Sequence, residues 1–366
     1  MGVGGVKVFC LVAFMFFLRH ILSKQGESMM NYGIWNNKGG VGKSFLSFTL
    51  ALEHAHNNPN KKIILADMCP QANLSEMILG GNGKGNANLE KVLAEGEGRK
   101  TIGGYFDERI ASPHRTTGNE TSYLISACDY NEEIPSNVYL LCGDPSLELQ
   151  AQVMNQIGSQ TLPVTAWKNV HLWLRELINA CARKLGDADG VTAFIDCNPS
   201  FSAYTELALV ASDNLVLPCS CDGSSARAIN NVASLVYGAR NHQSDRGFFK
   251  MCQRFDMKLP LIHSVILNRS TQYNKAASKA FAAMFEAIKN AVLNFYTSRP
   301  DCFIAGGPNF IDMPDNHSVA IVSSHLGKPL YAITPGKYGV HDVTPQINPE
   351  PLERYKDAIT GFEKII

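Results

Sequence analysis

The stretch Asn37-Lys38-Gly39-Gly40-Val41-Gly42-Lys43-Ser44 decides how the rest of the chain is read. It follows a short apolar run, Tyr32 to Trp35, and precedes Ser44 to His56, where apolar residues recur three and four apart as on one face of a helix. A strand passing through glycines into a helix N-terminus is a phosphate cradle. Glycines let backbone N–H groups converge on phosphate oxygens, and the helix end adds its partial positive charge. Here Gly39, Gly40, Val41 and Gly42 supply the backbone, with Phe45 just behind them in the helix. Lys43 is placed to neutralise the β and γ phosphates, and the Ser44 hydroxyl to ligate Mg2+. The expected ligand is a nucleoside triphosphate, ATP with Mg2+.

Outward from the loop, short apolar runs alternate with helical patterns. Lys62 to Ala66, Val138 to Cys142, Val191 to Ile195, Leu215 to Pro218 and Ile262 to Leu267 read as further strands, rich in Ile, Leu and Val. Lys168 to Leu185 carries Val170, Leu174, Leu177, Ile178, Cys181 and Leu185 on one face, an amphipathic helix that should pack on a sheet. Strands of this kind separated by helices predict an α/β fold, a doubly wound, mostly parallel sheet with helices on both faces. Gly80 to Asn88 and Ser112 to Ser122 read as surface loops within a loop-rich insertion around residues 80–137. Neither an internal repeat nor a linker is evident, so residues 30–366 are expected to form one domain.

The chain has 366 residues, 45% of them hydrophobic and 18% charged, enough for a substantial core. Formal net charge is +0, so no whole-protein field drives the chain onto nucleic acid or an anionic membrane, although a local basic patch remains open. Ten cysteines occur without any C-x-x-C pair, and Cys142, Cys181 and Cys197 sit in apolar stretches, which indicates a reducing, cytoplasmic compartment. Cys219 and Cys221 form a C-x-C with no matching His or Cys pair, so small buried thiols are favoured over a metal site.

Residues 1–29 form an apolar extension in which Val8 to Leu22 is interrupted only by Arg19 and His20. The run is shorter than the roughly 20 residues a membrane span needs. Met29 and Met30 directly precede the first strand, so a start assigned too far upstream is the favoured reading, with a membrane tether as the alternative.

The loop lacks the first glycine of the common G-x-x-x-x-G-K-[ST] pattern. Its string Lys38-Gly39-Gly40-Val41-Gly42-Lys43-Ser44 instead resembles the deviant Walker A motif of the ParA/MinD superfamily. In that family the extra lysine, here Lys38, reaches across a dimer interface to the partner's nucleotide. The resemblance runs from Met30 to Ile366 with a poor match over residues 82–138. Asp67-Met68-Cys69-Pro70-Gln71-Ala72-Asn73 resembles the family's D-x-D-P-Q-G-N motif, which implies that Asp67 holds a water on Mg2+. Cys69 stands where the family has a second acid that positions the attacking water, so binding and hydrolysis are separate expectations.

Thr192 to Ser200 is similar to the Walker B strand, I-I-D-x-P-P-S, with Asn198 in place of the first proline; the resemblance implies that Asp196 completes the Mg2+ shell. Alone, such an Asp could equally be a helix cap. Pro218 matches the family's I-P strand end, and Val265-Ile266-Leu267-Asn268-Arg269 resembles the strand whose Asn contacts adenine. Asn has donor and acceptor groups suited to a base edge, but is also a routine turn residue. Ser323 to Leu330, after Ile311 to Val319, is similar to the late segment A-P-S-H-G-K-P.

Membership of the ParA branch would imply an ATP-dependent homodimer, non-specific DNA binding, a centromere-binding ParB-like partner, and a cytoplasmic, nucleoid-associated role in plasmid or chromosome partitioning. Arg269, Lys275, Lys279, Lys289 and Arg299 are the candidate phosphate contacts, Lys275 and Lys279 sharing a helical face; a solvated face is the alternative. The helix-turn-helix of larger members does not fit ahead of the loop. Leu352 to Ile366 is an amphipathic helix of mixed charge containing Gly361, for which packing on the sheet is favoured over membrane anchoring. The second reading, prompted by Cys69, is a slowly hydrolysing nucleotide-dependent scaffold or MinD-like positioning protein.

Overall fold

The computed structural model describes residues 29–94, 99–186, 190–220, 222, 224–239, 245, 247–270, 272–273, 276–277, 279–315 and 317–366. The apolar run Val8 to Leu22 lies outside them. Strand β1 (Met30–Ile34) runs into the phosphate loop and helix α1 (Lys43–Asn57). Then follow β2 (Lys62–Met68), α2 (Asn73–Ile78), α3 (Gly81–Ala94), α4 (Ile102–Ala111), β3 (Ile125–Ser126), β4 (Val138–Leu141), α5 (Leu147–Gly158) and α6 (Ala166–Leu185). The next elements are β5 (Val191–Cys197), α7 (Ala203–Ala211), β6 (Asn214–Ser220), α8 (Ser225–Leu235), α9 (Phe248–Arg254) and β7 (Leu261–Ser270). A small hairpin, β8 (Gln272–Tyr273) and β9 (Ala276–Ala277), precedes α10 (Lys279–Ser298). The chain ends with β10 (Asn309–Pro314), α11 (His317–Leu326), β11 (Gly336–Lys337), β12 (Gln346–Ile347) and α12 (Pro349–Glu363).

Eight strands form one sheet in the order β10-β7-β6-β1-β5-β2-β4-β3. Every pair is parallel except β3 with β4, at the edge. This is the α/β architecture expected, and its reason is visible in β2: Ile63 and Leu65 feed the core on one face, Ile64 and Ala66 the core on the other. A strand buried on both sides is apolar throughout, which is why β5 is buried along its whole length. Helix α1 packs on one face with α12, whose Leu352, Tyr355, Ile359 and Phe362 are buried. The C-terminal helix thus covers the sheet, and the Tyr32 hydroxyl donates to the Ile366 carbonyl at 2.6 Å.

One local expectation is corrected. Gly80 to Asn88 is not a surface turn: residues from Gly81 onward belong to α3. The glycines there serve close approach, because a Cβ on Gly85 would collide with the Glu76 carbonyl and one on Gly81 with the backbone of His325. Leu89 and Val92 then bury the helix. The helical face expected to carry Lys275 and Lys279 falls partly outside the described residues, which do not include Lys275. Ala276 and Ala277 are in β9, paired with β8, and the helix begins at Lys279.

Candidate functional site

The site begins with sheet order. Because β1 lies between β5 and β6, its carboxyl end delivers the loop to the crevice where ligands bind in open parallel sheets. Gly40 and Gly42 adopt φ of 72° and 82°, the left-handed region that only glycine enters without strain, and so turn the chain into α1. Asn36 ties the loop down by donating from its amide to the Pro218 carbonyl at 2.8 Å. A side chain on Gly39 or Gly40 would meet nothing within 4 Å, so the outer rim of the loop is open.

Lys43, the first residue of α1, is buried. Its ammonium donates to the Lys38 carbonyl at 2.9 Å and the Asn36 carbonyl at 3.2 Å. Burial pulls its pKa below the ordinary lysine value, while the nearby Asp196 charge opposes the shift. These backbone carbonyls are neutral acceptors that phosphate oxygens outbid.

Strand register places Asp67 directly opposite Asp196, and Asp196 opposite Ile34 at the base of the loop. Both carboxylates are essentially inaccessible, at 0% and 1%. Burial raises both pKa values, and the charge of Asp67 adds to the rise at Asp196. Asp67 is well supplied with donors: Ser75 N–H at 2.9 Å, the Ser75 hydroxyl at 2.8 Å and Cys69 N–H at 3.1 Å. Asp196 is not. Its Oδ1 accepts from the Ser47 hydroxyl at 3.3 Å, whereas its buried Oδ2 has no hydrogen-bond partner.

An orphaned carboxylate oxygen beside a second carboxylate and the Ser44 hydroxyl fits a divalent cation. Among the described residues no three His, Cys, Asp or Glu side chains converge on one point. Such a cation would draw its remaining ligands from a hydroxyl, water and phosphate oxygens, which is the habit of Mg2+.

Cys69 lies in the same crevice. Its thiol is pushed up to about 12, first by burial and then by Asp67. A neutral thiol therefore occupies the position next to the acidic pair.

On the other side of the loop a cavity of about 370 Å³ is bounded by Gly42, Phe45, Asn268, Pro314, His325 and Tyr355, among others. Its size is in the range of small-molecule sites. Asn268, at the end of β7, donates from Nδ2 to the Val41 carbonyl at 2.7 Å and crowds Gly42, so it braces the loop as well as lining the cavity. Phe45 stacks on Tyr355 with ring centroids 6.1 Å apart. His325 Nδ1 is buried with no hydrogen-bond partner. Sequence reading assigned no role to Tyr355 or His325, although His325 stands in the Ser323 to Leu330 segment it singled out.

Lys38 has a local partner that its motif does not reveal. Its ammonium donates to the Ser220 hydroxyl at 2.8 Å and is ion-paired with Asp222. That pairing holds the Asp222 carboxyl far below its usual range. Among the basic candidates, Lys275 and the side chains of Arg269 and Lys279 lie outside the described residues. Lys289 is half-buried, and Arg299 is committed to Asp301 through Nε and Nη2 at 2.9 and 2.8 Å. Among the described residues no helix is long and apolar enough to cross a membrane.

A mostly parallel, doubly covered sheet whose central strand feeds this loop, flanked by Asp67 and Asp196, defines the protein as a P-loop ATPase of the deviant Walker A class. The family model described as AAA domain, AAA_31, matches residues 31–245, and the chain belongs to this ParA/MinD-type family. Among solved structures it is similar to an McdA variant from Cyanothece in complex with ATP, with TM-score 0.58, 15% identity, and coverage of 92% of this chain and 95% of that one. It is likewise similar to a plasmid partition protein from Borrelia burgdorferi B31 bound to AMPPNP, with TM-score 0.52, 16% identity, and coverage of 93% and 100%. At these identities the likeness is one of fold. No curated protein matches the sequence.

Proposed function

We propose that residues 30–366 form a ParA-like ATPase domain that binds ATP with Mg2+ and closes into an ATP-dependent sandwich dimer. It would bind DNA without sequence preference and move plasmid or chromosome cargo with a centromere-binding ParB-like partner. The observation that carries this reading is Lys38, a second lysine in the loop whose ammonium sits at the open rim, reaching Ser220 and Asp222 rather than its own cradle. That placement suits a side chain meant for another molecule's nucleotide.

In this scheme the amides of Gly39 to Gly42 receive the phosphates, and Lys43 exchanges its two carbonyl acceptors for β and γ oxygens. Ser44 and Asp196 would hold Mg2+, with Asp67 reaching it through water, and the cation would neutralise charge developing on the phosphate oxygens. Phe45, Asn268 and Tyr355, which line the neighbouring cavity, would enclose the nucleoside. The neighbours' bound ATP and AMPPNP support the assignment of ligand.

Light scattering of purified protein with and without Mg-ATP, together with DNA retention, tests the proposal. The wild type should dimerise and hold DNA only with ATP, Lys43→Ala should lose nucleotide binding, and Lys38→Ala should bind ATP yet stay monomeric. A wild type that remains monomeric at saturating ATP overturns it. Cys69 favours one second reading, a scaffold that binds ATP and hydrolyses it slowly.

A further inference from the structure

Two residues past Asp196, Asn198 is held from several sides. Its carbonyl accepts from Trp35 Nε1 at 3.0 Å and from the Thr205 hydroxyl at 3.4 Å. Its side-chain Oδ1 accepts from the Ser200 N–H at 3.0 Å and the Ser200 hydroxyl at 3.2 Å. A backbone N–H can only donate, so these bonds fix which end of the amide is oxygen. The Nδ2 end then points towards Cys69, reaching its sulfur at 3.9 Å, a weak acceptor at long range.

The register continues the logic. Asp67 faces Asp196 and Met68 faces Cys197, so Asn198 and Cys69 close the same end of the crevice, with Cys69 and Asp196 both within electrostatic reach of the Lys43 ammonium. A half-exposed amide donor is thus aimed at Cys69, on the side of the crevice that faces Lys43, with its own oxygen already satisfied elsewhere. A pre-oriented donor facing the place where phosphate charge changes is a recognised catalytic element.

We propose that Asn198 is a catalytic residue of ATP hydrolysis, its Nδ2 donating to an oxygen of the terminal phosphate in the transition state. This rests on the ATPase reading above. In the step, a bond forms between a water oxygen and the terminal phosphorus while the bridging P–O bond breaks with its electron pair staying on ADP. The water proton leaves with the phosphate, and Asn198 keeps its protonation throughout. Ser200 is the positioning residue that keeps the donor pointed inward.

Single-turnover hydrolysis and ADP binding, measured on wild type, Asn198→Ala, Asn198→Asp and Ser200→Ala, test the assignment. Asn198→Ala should slow hydrolysis by about tenfold to a hundredfold with ADP affinity within about twofold of wild type. Asn198→Asp, isosteric but without the donor, should be at least as slow, and the surface change Ser200→Ala should cost less than tenfold. Hydrolysis by Asn198→Ala within twofold of wild type would show that the residue only builds its turn. Loss of ADP binding alongside turnover would show that it only supports the loop, and either result overturns the proposal. A wild type that binds no nucleotide would instead sink the ATPase reading, and this assignment with it.

Discussion

The ammonium of Lys38 is ion-paired with the carboxylate of Asp222 in its own chain, and Ser220 accepts a second hydrogen bond from it at 2.8 Å. Asp222 is itself anchored by Ser224, whose N–H and hydroxyl donate to Oδ1 at 3.0 and 2.7 Å. A lysine that is to engage a second molecule must first leave this pair.

Asp222→Asn should therefore favour the ATP-dependent dimer. With 26% and 46% of the two side chains exposed, each pair is screened and contributes no more than about 1 kcal/mol; two pairs open per dimer, so its dissociation constant should fall by at most about thirtyfold. Sedimentation at graded protein concentration measures this, and an unchanged constant would mean the pair does not oppose assembly.

The acidic pair predicts a specific pH response. Burial raises the folded-state pKa of Asp67 and Asp196. For a carboxyl raised on folding, the stabilising contribution is complete below the ordinary carboxylate range near about 4 and is lost as pH rises through the raised values. The metal-free protein should thus melt at lower temperature as pH climbs towards neutrality. Mg-ATP should restore more stability at pH 8 than at pH 5, since the cation favours the ionised pair. Asp196→Asn should flatten the metal-free trend in a thermal melt across that range.

Cys69→Asp should raise steady-state turnover. A thiol held near 12 cannot act as a base, whereas a positioned carboxylate contributes at least about a hundredfold in favourable cases; a gain of tenfold or more is expected. A third carboxyl in this crevice should also lower the metal-free melting temperature. Brisk wild-type turnover with no gain in the variant would remove the scaffold reading.

Gly85→Ala should destabilise the fold by about 1–3 kcal/mol, because the new methyl group meets the Glu76 carbonyl within a close-packed helix pair. A melt read by circular dichroism should show it.

Much of the sheet was legible because its strands are short apolar runs, and the loop because glycines are required where φ is positive. Those signals are local. The positions of Asp67 and Asp196 were legible from the strands, each one residue before a strand's end, whereas their roles rest on the family resemblance. Helix α3 was not, since Gly81 and Gly85 look like flexibility until the neighbouring backbone they admit is known. Nor was the Lys38–Asp222 pair, which depends on β6 lying beside β1, or the inward aim of Asn198, set by Trp35 and Ser200.

The stacking of Phe45 on Tyr355 carries a consequence for how the protein is made. The phosphate loop precedes most of the chain in synthesis, whereas Tyr355, which stacks on Phe45 beside the cavity, belongs to α12, far downstream. A ribosome-bound chain that has already formed β1 and α1 would hold a triphosphate by its charged end alone. On the proposed assignment, contacts to the nucleoside would add to that hold only once α12 has packed against α1.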